Sequence, residues 1–191
     1  MAEPPCAGQS SQSIVKTENE AVQMYRFAAL MLGNEAEALS LVENAVAAVE
    51  IDPCADPSAA RGAVRDRVLD GALGIMYLQD PASFSYLPRL DAAGSCIEDD
   101  GAPPLSRTEI SKLLAGAGRG PLREWLNRLS QAQRAVFVQR AVLGSSNADT
   151  ARAINRLAGP SVWSAKAVSN LFRQALCSLA SSMVHSTELA A

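Results

Sequence analysis

Residues 129–137 read Leu-Ser-Gln-Ala-Gln-Arg-Ala-Val-Phe and belong to a series of helical patterns that fills the last third of the chain. Short polar or Gly/Pro-containing breaks separate the predicted helices of this series, which span residues 122–129, 131–142, 148–157 and 166–184. No stretch of the chain shows the sustained alternation typical of a strand. The sequence therefore predicts an all-α fold whose last four helices have the lengths of elements in a helix-turn-helix domain.

The N-terminal half is also predicted to be helical. Residues 18–50 indicate a helical hairpin broken at Gly33-Asn34, and a third helix is expected from about Ser58 to Gln79. One apolar stripe runs along this third helix and contains Ala63, Val64, Val68, Leu69, Ala72, Leu73 and Met76.

Prolines and glycines interrupt the pattern between the two helical regions, so the sequence predicts two small helical domains joined by a Pro/Gly-rich linker. A short helix is expected near residues 106–114 of this linker. The predicted organisation is a flexible tail at 1–17, a helical domain at 18–80, the linker at 81–121, a helix-turn-helix domain at 122–185 and a tail at 186–191.

Charge is distributed unevenly along the 191 residues, although the net charge is only −3. Residues 1–95 contain 6 Lys/Arg and 13 Asp/Glu, whereas residues 125–191 contain 7 and 2. A basic module joined to an acidic one indicates a nucleic-acid face on the C-terminal part and a protein-facing role for the N-terminal part.

Several classes of protein are disfavoured by the sequence. No apolar run approaches the roughly 18 residues of a membrane helix, and the opening residues lack the features of a signal peptide, so we expect a cytoplasmic protein without membrane insertion. Neither a phosphate-binding loop, nor a dinucleotide fingerprint, nor a histidine placed to serve a nucleophile is present, so neither an enzyme nor a cofactor is expected. The stretch Gly116-Ala117-Gly118-Arg119-Gly120 lacks the Lys-Ser/Thr ending of a phosphate loop and is interpreted as linker.

The cysteines do not predict a metal site. Cys6, Cys54, Cys96 and Cys177 are widely scattered, and His185 has no cysteine close to it in sequence. Cys177 is interpreted as a small buried apolar residue in a reducing compartment.

The segment from Leu129 to Phe137 is followed by a set of further matching positions, namely Gly144, Ser146, Ala151, Ile154, Val168, Phe172, Ala175 and Leu179. Together they resemble the fourth region of bacterial RNA polymerase sigma factors of the extracytoplasmic-function type. In that family a helix opens with Leu-Pro-x-x-x-Arg, and a turn around a glycine leads to a helix with a central alanine, here Ala151. A recognition helix follows, although 16 residues separate Ala151 from Val168, more than is usual in the family.

The predicted recognition helix has two distinct faces. Val168, Phe172, Ala175 and Leu179 form one apolar stripe that is expected to be buried. The opposite face carries side chains able to reach phosphates and base edges, and the predicted DNA-binding residues are Lys166, Ser169, Asn170, Arg173 and Gln174.

Other residues of this region leave more than one interpretation open. Trp163 is interpreted as a hydrophobic anchor of the turn in preference to a base-stacking residue. Arg134, Arg140, Arg152 and Arg156 fit either contacts to phosphates or ordinary solvated helix positions.

The N-terminal half resembles the second sigma region, through Tyr25-Arg26-Phe27-Ala28, residues 33–38 and residues 41–46. In the family a helix of this region binds the clamp of the polymerase β′ subunit, which implies polymerase binding by Leu41, Val42, Glu43 and Asn44. The chain departs from the family at Leu39-Ser40, where a Glu-Asp pair is usual, and at Glu43-Asn44, where Gln-Glu is usual. The family also melts promoters with a basic and aromatic helix, but residues 61–77 interleave arginines with aspartates and have no aromatic before Tyr77.

The resemblance implies a transcription initiation factor that binds core RNA polymerase and promoter double-stranded DNA, with an anti-sigma factor as a further candidate partner. The alternative is a divergent sigma-like protein without promoter melting, which acts as a regulatory interaction or adaptor module.

Overall fold

A computed structural model describes residues 11–49, 57–85, 119–159 and 163–188. Every regular element among these residues is a helix, so the prediction of an all-α fold is confirmed for this part of the chain. The helices are α1 Ser11–Leu32, α2 Glu35–Ala47, α3 Pro57–Gln79, α4 Pro81–Ser85, α5 Arg119–Arg128, α6 Gln131–Ala141, α7 Asn147–Ala158 and α8 Ala165–Glu188.

The chain divides into two compact units between Ala72 and Leu73, within α3. In the first unit α1 and α2 form the predicted hairpin. Gly33 follows α1 with a φ of 72°, a value that glycine adopts without steric cost. Asn34 then caps α2, because its Oδ1 accepts hydrogen bonds from the backbone N–H groups of Ala36 and Glu37 at 3.0 and 3.3 Å.

Helix α3 approaches α2 closely at Gly71. A Cβ atom at this position would lie 2.5 Å from Cδ1 of Leu41, which is closer than two carbon atoms approach without a shift. The absence of a side chain at Gly71 therefore lets Leu41 pack against the α3 backbone. Val68 and Ala72, at neighbouring positions of α3, are fully buried.

The second unit contains the end of α3 together with α4 to α8. Leu73, Met76 and Phe84 are fully buried, and the Phe84 ring meets the Tyr77 ring edge-on with centroids 5.8 Å apart. The predicted N-terminal domain ends at residue 80, whereas the division within the structure assigns residues 73–85 to the second unit. Apolar side chains of α3 and α4 supply part of the core of the second unit, although α4 lies in the predicted linker.

Three further predictions need correction. Helix α1 begins at Ser11, inside the predicted tail, because no proline or glycine interrupts residues 9–32. Helix α8 continues to Glu188, beyond its predicted end at residue 184 and into the predicted tail. Cys177 is half-buried and disulfide-bonded, a pairing that cysteine spacing alone does not reveal. The short helix predicted near residues 106–114 lies outside the described residues.

Candidate nucleic-acid interface

Two arginines that the sequence offered as phosphate contacts serve the packing of the second unit. Arg134 is only 6% exposed, and its Nε donates a hydrogen bond of 3.0 Å to the carbonyl of Leu126, near the end of α5. Burial lowers the pKa of this guanidinium from its ordinary value. The same carbonyl accepts a hydrogen bond from the backbone N–H of Leu129 at 3.2 Å, so Arg134 supplies a second donor to it and ties α6 to α5.

Arg140 connects α6 to both of the following helices. Its Nη1 donates a hydrogen bond of 2.6 Å to the carbonyl of Ser145, in the turn before α7. Its guanidinium also lies over the ring of Phe172 in α8, 5.1 Å from the centroid, which is a cation–π geometry. Arg140 therefore positions α8 and is not an exposed phosphate contact.

The first turn of α7 is capped by Ser146. Its Oγ accepts a hydrogen bond from the N–H of Asp149 at 3.0 Å and donates one of 2.6 Å to the Asp149 carboxylate. The hydrogen bond from Ser146 is the main cause that lowers the pKa of Asp149, and attraction to Arg152 adds to it. Arg152 is exposed but forms an ion pair with Asp149, so its charge is partly compensated.

The connection from α7 to α8 is held by a reciprocal pair of hydrogen bonds. The Asn155 side chain accepts from the N–H of Trp163 at 2.9 Å and donates to its carbonyl at 2.8 Å. The Trp163 ring is buried, and its Nε1–H donates a hydrogen bond of 2.8 Å to the carbonyl of Phe84. The prediction that Trp163 is an anchor is confirmed, and the first turn of α8 is thereby fixed beside the end of α7.

Helix α8 has the two faces that the sequence predicts. Val168, Phe172 and Ala175 are buried, and Leu179 is half-buried. On the opposite face Lys166 is exposed, whereas the other four predicted DNA-binding residues, Ser169, Asn170, Arg173 and Gln174, are half-buried.

The start of α8 combines a helix cap with positive charge. Ser164 caps the helix by accepting a hydrogen bond from the N–H of Ala167 at 3.1 Å. Lys166 follows in the first turn, where the helix dipole also favours an anion. Arg156 is exposed near the end of α7. Residues 120–182 contain eight Lys/Arg and two Asp/Glu, so this part of the chain is basic.

The predicted polymerase-binding residues divide between core and surface. Val42 is 7% exposed and Leu41 packs at Gly71, so neither side chain forms an open contact face. Glu43 and Asn44 are exposed, and the Asn44 side-chain amide donates a hydrogen bond of 3.4 Å to the hydroxyl of Ser40.

Two apolar residues on the same face as Glu43 are exposed. Leu39 and Val46 are 50% and 42% exposed, and they lie one turn before and one turn after Glu43. Helical spacing at positions 39, 43 and 46 is the signal in the sequence that identifies this face. In the sequence analysis Leu39 is named only as a departure from the family pattern. We call the surface formed by Leu39, Glu43 and Val46 the α2 face.

The cations of α3 are partly compensated by acids. Arg61 forms an ion pair with Glu20 of α1 at 3.1 Å, and Arg65 lies 3.9 Å from the Asp66 carboxylate. Tyr77 is half-buried against Phe84. The helix therefore offers no exposed aromatic ring among its residues.

Over the described ranges, no helix combines the length and apolarity needed to cross a membrane. The same residues contain no group of three or more His, Cys, Asp or Glu side chains that could hold a metal ion. Comparison with known proteins gives no match to a family model, to a curated protein or to a solved structure.

Proposed function

We propose that this protein is a sigma-like transcription initiation factor that binds promoter double-stranded DNA through a helix-turn-helix formed by α7 and α8. The observation that carries the proposal is the start of α8, where Lys166 is exposed beside a capped helix N-terminus that the Asn155–Trp163 bonds hold in place. A backbone phosphate fits this position because it meets a cation and the N-terminal end of a helix together. The predicted DNA-binding side chains of α8 then face the major groove.

The buried stripe of α8 supports this orientation. The Phe172 ring packs against α6, with its centroid 6.0 Å from that of Phe137 and with the Arg140 guanidinium over its face. These contacts keep the opposite side of α8 directed away from the core. A helix presented in this way has the form that major-groove recognition requires.

For core RNA polymerase we propose the α2 face as the contact. Residues 33–49 contain three glutamates and neither lysine nor arginine, so the α2 face is both apolar and acidic. Its complement is a surface that combines apolar side chains with positive charge. The partner residues in this proposal are therefore Leu39, Glu43 and Val46 in place of Leu41 and Val42.

The second candidate function is an adaptor module that binds polymerase or another regulator without melting promoters. The charge pairing along α3 and the packing of Tyr77 against Phe84 favour it, because capture of unpaired bases needs accessible aromatic rings and phosphate attraction together.

The DNA-binding experiment uses the full chain, because residues 73–85 form part of the second unit. Binding to labelled duplexes is measured by fluorescence anisotropy over a salt series. Lys166→Ala should weaken binding to all duplexes and reduce the slope of log K against log salt by about one. Arg26→Ala removes the same charge from an exposed position of α1 and is the matched control. Equal effects of the two variants would contradict the assigned phosphate contact.

Polymerase binding is tested by pull-down with purified core enzyme. Glu43→Lys and Leu39→Ala should both weaken capture, because the first reverses a charge and the second removes apolar area from an exposed position. Chemical probing of unpaired promoter bases then separates the two functions. Capture without promoter opening supports the adaptor, and an unchanged capture of Glu43→Lys shows that the α2 face is not the contact.

A further inference from the structure

The exposed face of α7 carries charges of both signs. The exposed positions of this helix are Ala148, Asp149, Arg152 and Arg156, which recur at helical spacing and therefore share one side of the helix. Nη2 of Arg152 donates a hydrogen bond to Oδ1 of Asp149, and the two groups form an ion pair. The Arg152 and Asp149 side chains are 75% and 53% exposed, so a ligand in solution can reach both.

The Asp149 carboxylate is held in place by a second contact. Its other oxygen, Oδ2, accepts a hydrogen bond of 2.6 Å from the hydroxyl of Ser146, the residue that caps α7. One oxygen is therefore bound to the cap, and the other meets Arg152 one helical turn further along. Because the cap directs the carboxylate toward Arg152, this ion pair costs less side-chain freedom than an ordinary surface pair does.

Acids are rare in this part of the chain. Residues 120–182 contain eight Lys/Arg but only two Asp/Glu, which are Glu124 and Asp149. Glu124 is exposed on α5, whereas Asp149 lies on the first helix of the proposed helix-turn-helix. In such a motif the first helix crosses the DNA backbone, where cations on its surface attract phosphates. A carboxylate that pairs with one of these cations opposes the attraction.

We propose that Asp149 keeps Arg152 from acting as a phosphate contact, so that α7 contributes little sequence-independent attraction to DNA. This inference rests on the proposed DNA-binding function. A phosphate that displaced the Asp149 carboxylate from Arg152 would leave that carboxylate unpaired beside the DNA backbone, where like charges repel. Asp149 is therefore a negative determinant of DNA affinity, which limits the binding of duplexes of any sequence.

The effect on DNA binding is measured with the full chain and a duplex of random sequence over a salt series. Asp149→Asn should steepen the slope of log K against log salt by about 0.9, because the released Arg152 neutralises one more phosphate. Arg152→Ala should keep the slope of the wild type, and in the Arg152→Ala background Asp149→Asn should leave the slope unchanged. Glu124→Gln removes the same charge from an exposed position of α5 and is the matched control, for which no steeper slope is expected.

Three results overturn the proposal. A shallower slope in Arg152→Ala than in the wild type shows that Arg152 already contacts a phosphate in the presence of Asp149. An unchanged slope in Asp149→Asn shows that no phosphate contact is released. Equal effects of Asp149→Asn and Glu124→Gln show that only the net charge of the chain matters. Circular dichroism verifies that each variant is folded, and Arg152→Ala leaves the contact between Ser146 and Asp149 in place.

The ion pair is measured separately, without DNA, so that its failure is distinguishable from failure of the proposed function. The hydrogen bond from Ser146 is the main cause that lowers the pKa of Asp149, and attraction to Arg152 adds to it. Arg152→Ala should therefore raise this pKa, which is followed by ¹³C NMR of the side-chain carboxyl. An unchanged pKa overturns the ion pair and the proposal with it. A raised pKa in a chain that binds no duplex at low salt refutes the DNA-binding function instead.

Discussion

Replacement of Trp163 by phenylalanine tests whether the hydrogen bond to α4 stabilises the second unit. The substitution removes the Nε1–H that donates to the buried carbonyl of Phe84 at 2.8 Å. A buried acceptor left without a partner costs roughly 1–3 kcal/mol, and a void of about a methyl group adds roughly 1 kcal/mol. We therefore expect the free energy of unfolding to fall by about 2–4 kcal/mol.

The same substitution at Trp125 is the matched control. Nε1 of Trp125 donates to the hydroxyl of Ser178 at 3.1 Å, and Ser178 is exposed, so water replaces the lost donor. Both variants are unfolded in urea and followed by far-UV circular dichroism, because removal of tryptophan alters the fluorescence signal. Trp163→Phe should be the more destabilised variant. If it loses no more stability than Trp125→Phe, the buried hydrogen bond does not have the assigned role.

Three further changes have defined outcomes. Gly71→Ala should stabilise the protein less than Gly74→Ala in urea unfolding, because its Cβ meets the end of the Leu41 side chain, whose shift offsets the gain in helix propensity of roughly 1 kcal/mol, whereas at Gly74 nothing lies within 4 Å. Arg134→Met should lower the free energy of unfolding by about 0.5–1.5 kcal/mol, since a carbonyl of α5 loses one of its two donors, without changing the salt dependence of duplex binding. Asp149→Asn should destabilise the protein at neutral pH, because the hydrogen bond from Ser146 lowers the pKa of Asp149 below its ordinary value of 3.8. This stabilisation is present above pH 3.8 and disappears as the pH falls through the lower pKa that Asp149 has in the folded state. The variant and the wild type should therefore become equally stable in acid. A difference in stability that persists in acid would show that the charge of Asp149 is not its cause.

Most of the helices could be predicted from the sequence because their limits depend on local interactions, although α4 and the first residues of α1 lie in the predicted linker and tail. The third helix was predicted from about Ser58 to Gln79, and α3 spans Pro57–Gln79. The break at Gly33-Asn34 was also predicted, since a glycine with positive φ and an asparagine cap act on their neighbours alone. The apolar stripe of α8 was predicted from helical spacing for the same reason.

Contacts between distant segments determine which side chains are buried and which are exposed, and the sequence did not predict these contacts. The sequence identified Leu41 and Val42 as contacts, but the packing of α2 buries Val42 and leaves Leu39 and Val46 exposed. Arg134 resembles the other arginines in sequence, and only its place beside the end of α5 makes it a buried donor.

The sequence by itself determined the helices, their apolar faces and the basic character of the C-terminal part, because composition and 3.6-residue periodicity are properties of short segments. Only the tertiary structure decided that residues 73–85 join the second unit, that Trp163 binds the carbonyl of Phe84, and which cations remain exposed. The reason is physical: exposure and pairing of a side chain depend on which distant segment covers it, and helical periodicity contains no information about that segment.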